Sequence, residues 1–589
     1  MPQSVFSQRV TDVFAAAASP RAARIAVEGR QVEITKPFAS PADWRDHWIY
    51  FLMVDRFAGH AGPPKSLPFD AEFGGFQGGS FDGIRQQLGY LSELGVGALW
   101  LSPVTKNCQF EEGTFHGYGF QDFLKVDPRF GSETELQGLI DEAHARGMYI
   151  IFDIVLNHAG NVFEYVGHGA AAPWKDTPYD VLWRDATGLG RFSDIAAAPA
   201  EADGGVWPEE LRKNSHFRRQ GKGGELGGDF ESLKELVTGR REGSPFGDRL
   251  PVQETLIRAY QYLIAKFDVD GYRIDTLKYI EPEFARVFGN AMREYAQSIG
   301  KKNFFTFGEV YDEEEKISAF IGRNASEFDE PIGVDAALDF PLFFRLPSLA
   351  KGFTAPTQIE AMYRRRKEIQ KSILTTHGEA SAHFVTFLDN HDQRERIYYV
   401  DPADPSKYDM QLTLAVASLF ALQGIPCLYY GTEQGLHGRG GSDRAVREAL
   451  WGKPGGFDRT HVFYAAIRSL TETRRREAAL RFGRQYFRPV SGNQVNFGVS
   501  PFPKGVLAVS RILNEREVVF VANSNPDGGF AGDVLVDGRL NSNGQVFNLL
   551  WSNNCAGAVG PQPAVERPGP IRAVPVTLAP MEAQIIGPA

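Results

Sequence analysis

Residues 148–158 read MYIIFDIVLNH, and residues 269–275 read VDGYRID. Neither run alternates apolar with polar side chains, which is the pattern of a strand covered on both faces, as in a parallel sheet. Each ends in polar groups: Asp153, Asn157 and His158 in the first, Arg273 and Asp275 in the second. Charge at the exit of an apolar run is costly unless it is paired or solvated. Such exits therefore mark turns or a site.

Six more runs lie around these two: Trp48–Val54, Gly97–Ser102, Phe304–Gly308, Val334–Phe340, His383–Leu388 and Ile425–Tyr430. Amphipathic stretches separate many of them, among them Thr134–Arg146 (stopped by Gly147), Glu254–Phe267 and Met410–Leu422. Eight strands alternating with helices predict an α/β fold, a (β/α)8 TIM barrel. A doubly wound open sheet competes, and spacing alone does not separate the two. The gap between the third and fourth runs is too long for one crossover and is rich in Gly, Pro and Ala, so a small domain is expected to be inserted after the third strand. Beyond Gly483 the runs Val506–Arg511, Val518–Val521 and Gln545–Leu550 alternate with Asn, Gly, Asp and Pro clusters, predicting a C-terminal antiparallel β-sandwich. The expected division is a lead-in of low information over 1–43, the barrel over 44–158 and 231–483, the insertion over 159–230 and the sandwich over 484–589.

The 589 residues are 43% hydrophobic and 23% charged, an ordinary globular composition, with a net charge of −10. That balance argues against nucleic acid or an anionic membrane as partner, since both call for a basic surface. No run of 18 apolar residues occurs, so no membrane span is expected. Cys108, Cys427 and Cys555 are far apart and odd in number, which fits buried thiols in a reducing compartment. The Val13–Ala18 stretch follows Asp12 and is short for a signal peptide. The expected location is cytoplasmic.

In a barrel, reactive groups sit where strands end. Four runs end in polar residues: Asp153 to His158, Arg273 and Asp275, Glu309, and Asp389 to Asp392. An isolated Asp after a strand is most often a cap or turn former, but four coincident exits point to a site. Three carboxylates (Asp275, Glu309, Asp392) with Arg273 and two imidazoles (His158, His391) suit retaining glycoside hydrolysis, which uses one ionised carboxylate and one carboxylic acid. Arg273 projects to the same side as Asp275 and is expected to keep it ionised, while crowding is expected to leave Glu309 protonated. That chemistry requires no cofactor.

FDIVLNH (152–158), GYRIDTLKY (271–279), GEV (308–310) and FLDNHD (387–392) resemble, in order, the best-known motifs of the α-amylase family, glycoside hydrolase family 13. FHGYGFQDF (115–123), VDPRFG (126–131) and GIPCLYYGTEQG (424–435) resemble further segments of that family. The resemblance implies Asp275 as nucleophile, Glu309 as general acid/base and Asp392 as the third essential carboxylate. It also implies that Tyr118, His158, Arg273, Lys278 and His391 bind substrate and that Asp153 is a buried structural carboxylate. An oligosaccharide or polysaccharide substrate follows, with a structural calcium at Asn157 and Asp229 as a further possibility implied by the family. Three departures stand out. Gly119 replaces an aromatic and suggests a more open floor, Tyr279 stands where many members carry His, and GGDFESL (227–233) matches its motif poorly. A hydrolase of α-1,4-linked maltooligosaccharides, cyclodextrins or starch-like glucans is the leading expectation. An α-glucanotransferase is the alternative, α-1,6 specificity stays open, and a silent sugar-binding homologue is disfavoured by the complete set of carboxylates.

Overall fold

A computed structural model describes residues 3–66, 72–195, 204–225, 227–239, 250–322, 333–375, 377–554 and 562–589. Eight parallel strands form one sheet: β1 (Ile49–Leu52), β2 (Ala98–Leu101), β3 (Tyr149–Val155), β4 (Gly271–Asp275), β5 (Phe305–Gly308), β6 (Ala336–Ala337), β7 (Val385–Thr386) and β8 (Ile425–Tyr429). Their order is β6-β5-β4-β3-β2-β1-β8-β7, so every strand lies beside its neighbours in sequence and β8 returns to β1. The remaining gap is bridged where Leu338 pairs with Val385 and Asp339 N–H donates to Val385 O at 2.9 Å. This is a nearly closed barrel. A doubly wound sheet would reverse its order at a switch point and keep two free edges.

β6 and β7 are only two residues long, shorter than the apolar runs that announce them. After β6, Asp339 accepts a hydrogen bond from Leu342 N–H at 3.1 Å and, with Pro341, starts the helix Phe340–Phe343. Before β7, Ala380–His383 form a 3-10 turn that is buried despite being irregular. Burial made both runs apolar, and local caps cut both strands short.

After β3 the chain leaves the barrel through His158–Ala159, which pairs antiparallel with Lys234–Glu235 on the way back. Phe163–Tyr165 and Val181–Trp183 form a second short pair within the intervening segment.

Residues before the barrel carry more structure than their sequence announces. The run Val13–Ala18 falls in and just beyond the helix Gln8–Ala17, whose Val10 and Ala17 are buried. A hairpin, Arg21–Val27 with Arg30–Lys36, follows. Phe38 then reaches the bottom of the barrel, where its N–H donates to Asp268 and its carbonyl accepts from Lys301 Nζ at 2.9 Å. The buried ammonium of Lys301 also meets Asp268 at 2.7 Å and Asp270 at 2.8 Å, while His144 Nε2 lies 2.8 Å from the far oxygen of Asp270.

The C-terminal residues form two antiparallel sheets, one of six strands from Arg484–Phe487 to Ala583–Pro588 and one of four. In the strand Val506–Leu513, Val506 and Ala508 join a core shared with Val534, Val574 and Val576 of the other sheet. Leu507 and Val509 belong instead to the core continuous with the barrel. The strand is covered on both faces, which explains the weak alternation of its sequence.

Among the described residues no helix is long and apolar enough to cross a membrane. Cys108 and Cys427 are buried free thiols, and Cys555 lies outside the described residues.

Candidate active site

The ends of β3, β4, β5 and β7 open on a cleft of about 540 Å³, a size usual for small-ligand sites. Tyr118, His158, Asp275, Lys278, Glu309 and Asp392 all line it, as do His116, Phe230, Tyr279, Tyr311 and Arg447. Residues from 118 to 392, scattered over the sequence, therefore meet in one place.

Arg273 is the centre of the arrangement. It sits inside the barrel, fully buried, with its guanidinium over the Trp100 ring at 5.2 Å. Nη1 donates to Asp275 Oδ1 at 2.8 Å and to both oxygens of Asp153 at 2.9 and 3.1 Å. Nη2 lies 2.8 Å from Glu309 Oε2, an ion pair set off the N–H direction, so that this nitrogen makes no well-aligned hydrogen bond. One cation thus faces three carboxylates. Trp100 Nε1 and Tyr118 Oη also donate to Asp153 Oδ2, at 3.0 and 2.9 Å, so Asp153 spends its lone pairs on holding the floor of the site.

This geometry corrects one expectation. Burial, and then the neighbouring charges of Glu309, Asp153 and Asp392, push the Asp275 carboxyl well above the usual range despite Arg273. Burial likewise lifts Asp153 to about 6 against the pull of Arg273. The guanidinium does not act on Asp275 alone, because it touches Asp153 and Glu309 as well.

Thr276 follows Asp275 with φ of +49°, a conformation strained for a β-branched residue. The turn aims its N–H at Glu309 Oε2, 3.1 Å away. Local strain thereby helps place a carboxylate 33 residues along the chain.

Beside this cluster, the Tyr118 and His391 rings stack at 5.4 Å, and Tyr118 Oη lies 2.7 Å from His391 Nε2. Burial drives His391 well below its ordinary pKa, helped by Arg447 and Arg273, and it brings His158 down to about 4. Both imidazoles are therefore neutral near pH 7. Asp389 and Asn390 turn out to build the loop, accepting from Ile397 N–H and Asp392 N–H, as the ordinary turn-former reading would have it.

Sequence reasoning missed two participants. Arg447 donates to Asp392 Oδ1 at 3.0 Å and to the His391 carbonyl at 2.9 Å, and it pairs with Asp443. It belongs to no strand exit or motif, so nothing in the sequence marks it. His116 is half-buried and stacked on Tyr118 at 5.5 Å, and it stands in the FHGYGFQDF segment two residues before that tyrosine. Lys278 reaches the cleft rim with its ammonium already engaged by Glu225 at 2.8 Å and Asp312 at 3.2 Å.

Gly119 does not open the floor, because a Cβ there would come within 2.8 Å of Thr114 Cγ2 in a packed wall. Asn157 and Asp229 do not form a calcium-type donor set. Asp229 Oδ2 accepts from Tyr165 Oη at 2.6 Å and Lys234 Nζ at 3.2 Å, and Oδ1 accepts from Glu235 N–H at 3.1 Å. Asn157 Oδ1 is buried without a partner, one oxygen where calcium takes six to eight.

Comparison with known proteins agrees with this architecture. Residues 45–218 and 247–460 match the model of the alpha-amylase catalytic domain. An alpha-amylase from Streptomyces lividans is 29% identical over 71% of this chain and 48% of that protein. A cyclomaltodextrin glucanotransferase from Geobacillus stearothermophilus is 26% identical over 85% of this chain and 65% of its own length. The chain thus spans about half to two thirds of these relatives. The solved alpha-amylase of Geobacillus thermoleovorans, complexed with acarbose, shares the fold at a TM-score of 0.63 and 22% identity, covering 93% of this chain and 99% of that one. The chain belongs to the α-amylase family of glycoside hydrolases and transglycosidases.

Proposed function

We propose that the protein is a retaining α-glucoside hydrolase that cleaves α-1,4 bonds in maltooligosaccharides, cyclodextrins or starch-like glucans. The observation that carries this reading is the single Arg273 guanidinium, with one terminal nitrogen on Asp275 and the other against Glu309. Two carboxylates bridged in this way flank one small space, as nucleophile and acid/base do in a retaining site.

Glu309 as acid protonates the glycosidic oxygen while Asp275, in its ionised form paired with Arg273, attacks the anomeric carbon. The C–O bond to the leaving sugar breaks, and a glycosyl ester forms on Asp275. Glu309, now a base, takes a proton from water as that water displaces Asp275, so two inversions restore the α configuration. Asp275 loses its charge on forming the ester. Arg273 is not stranded by this, because Asp153 holds the same nitrogen throughout. Asp392, held by Arg447 at the rim, stabilises positive charge developing on the sugar ring. The neutral imidazole of His158 lines the cleft and can exchange hydrogen bonds with hydroxyls, while His391 lies behind the wall with its Nε2 on Tyr118 Oη, and Tyr118 offers a ring face.

Transfer to a sugar acceptor in place of water is the second reading. Tyr311 (54% exposed) and Phe230 (45% exposed) favour it, as open aromatic faces lining the cleft near Glu309. Chromatography of products from maltoheptaose, pullulan, sucrose and a cyclodextrin separates the readings, and NMR of the first product gives its anomeric configuration. We expect maltoheptaose or the cyclodextrin to be cleaved to α-anomeric products. Products longer than the substrate would replace hydrolysis by transfer, and a β-anomer would overturn the retaining mechanism.

A further inference from the structure

Asn157 and Asp229, where the family resemblance leads one to expect calcium, lie at the junction by which the segment after β3 joins the barrel. Lys234–Glu235 pairs there with His158–Ala159, and Leu236 N–H donates to the Asn157 carbonyl at 2.9 Å. Side chains alternate across such a pair, so His158 can line the cleft while Lys234 is turned the other way. Lys234 has no exposed surface, which is rare for a lysine and costly unless its charge is met.

The charge is met on every side. Lys234 Nζ lies 3.2 Å from Asp229 Oδ2, donates a close hydrogen bond to the Ala170 carbonyl, and stands over the rings of Tyr165 and Phe163 at 4.6 and 5.0 Å. An ammonium has three N–H groups and no lone pair. Here they are shared among a carboxylate, a carbonyl and two π faces. The contacts come from three separate stretches of chain, 163–165, 170 and 229, and meet at the return strand.

We propose that the Lys234 ammonium is the built-in cation of this junction, paired with Asp229, one of the two residues at which the family resemblance places calcium, and that these residues bind no calcium. Two features of the donor set carry the argument. Asp229 already accepts from Lys234, Tyr165 and the Glu235 N–H, which leaves it little capacity for a metal. A fixed positive charge beside Oδ2 would also repel a divalent ion that needs six to eight oxygens at about 2.3–2.6 Å. Among the described residues, moreover, no three His, Cys, Asp or Glu side chains converge to hold a metal. A cation carried on a side chain cannot dissociate, so the junction keeps its crosslink at any calcium concentration.

The test uses the full chain. Calorimetry of the wild type in excess EDTA and in millimolar calcium chloride is expected to give the same Tm. Lys234→Ala and Lys234→Met should each lower Tm by about 3 °C in either buffer, since each leaves the buried Asp229 carboxylate without its cation. Unchanged Tm in both variants would overturn the proposal. Should neither variant fold, equilibrium dialysis of the wild type against calcium, in parallel with Asp229→Asn, still decides the matter. Stoichiometric binding by the wild type that Asp229→Asn abolishes would show that the residues do take the metal.

Discussion

The two ends of β4 carry buried clusters of carboxylates around a basic side chain, put to opposite uses. At the bottom, two carboxylates (Asp268, Asp270) face Lys301 and His144. Asp270 accepts from Lys301 Nζ, His144 Nε2 and Ile150 N–H, all at 2.8 Å. Burial alone would raise its pKa, but Lys301 and His144 outweigh that and hold it below the ordinary value. At the mouth, three carboxylates share one guanidinium, and there burial and crowding win, so Asp275 is pushed up. Balanced charge makes a clamp. Unbalanced charge makes a site that holds mobile protons, at a cost in stability. The contrast follows the general rule that barrel bottoms stabilise and barrel mouths react.

The largest expected effect would break this comparison outright if it failed. Asp275→Asn should lower kcat on the best substrate by on the order of 10⁴ or more without lowering Tm. Asp270→Asn should do the reverse, keeping kcat per folded molecule while costing about 3 kcal/mol of stability, because Lys301 loses half of its compensation. Steady-state kinetics and calorimetry on both proteins decide it. A bottom variant that loses activity at unchanged Tm would dissolve the distinction.

Within the mouth, Glu309→Gln should slow cleavage of unactivated glucans by roughly 10³-fold and activated aryl α-glucosides far less, since a good leaving group needs little protonation. Equal losses on the two substrates would remove Glu309 from the acid/base role. Arg447→Ala should have a smaller effect, a roughly 10- to 100-fold fall in kcat/KM, because Asp392 and the His391 carbonyl lose their common donor. Arg447→Lys can keep a charge near Asp392 but cannot hold both partners, so it should recover only part of the loss. Full recovery with Lys would mean that charge alone matters at that position.

The same contrast governs what could be read in advance. Asp153, Arg273, Asp275, Glu309 and Asp392 were legible because a charge terminating an apolar run has few inexpensive explanations, and four strands repeated the pattern. The bottom cluster was not legible. Asp268 and Asp270 look like turn residues before a strand, and Lys301 and Phe38 reach them from distant positions in the sequence. Arg447 was hidden for the same reason, since its partner Asp392 lies 55 residues away, beyond a helix and β8, and such a pairing leaves no periodicity. Lys234 was hidden because a lysine in a polar stretch is ordinarily solvated, and only the packing of Phe163, Tyr165 and Asp229 around it makes it a buried cation. Tertiary burial, which no local pattern records, separates the residues that were found from those that were not.

The smallest expected effect concerns the pH dependence of stability, where the two ends of β4 should move in opposite senses. Asp270 has a depressed pKa in the folded state, so its contribution is present above the unfolded carboxylate value near 3.8 and disappears as pH falls through the lower folded value. Asp275 has a raised folded pKa. Its folded form holds a proton more tightly than its unfolded form, so it favours folding at acid pH and loses that contribution as pH rises from about 4 through its folded value. Removing the charge with Asp275→Asn should therefore leave Tm above that of the wild type by a few degrees at pH 8. The difference should narrow steadily as pH is lowered, because the wild-type carboxyl becomes protonated and the two side chains become alike in charge. For Asp270→Asn the sign is opposite: Tm should lie below the wild type at pH 8, with the deficit persisting down to about pH 4 and closing only below it. Melting curves of the three proteins across that range test both signs together. If the Asp275→Asn difference widened toward acid pH, Asp275 would be a clamp like Asp270, and the mouth would not be the strained end of the barrel.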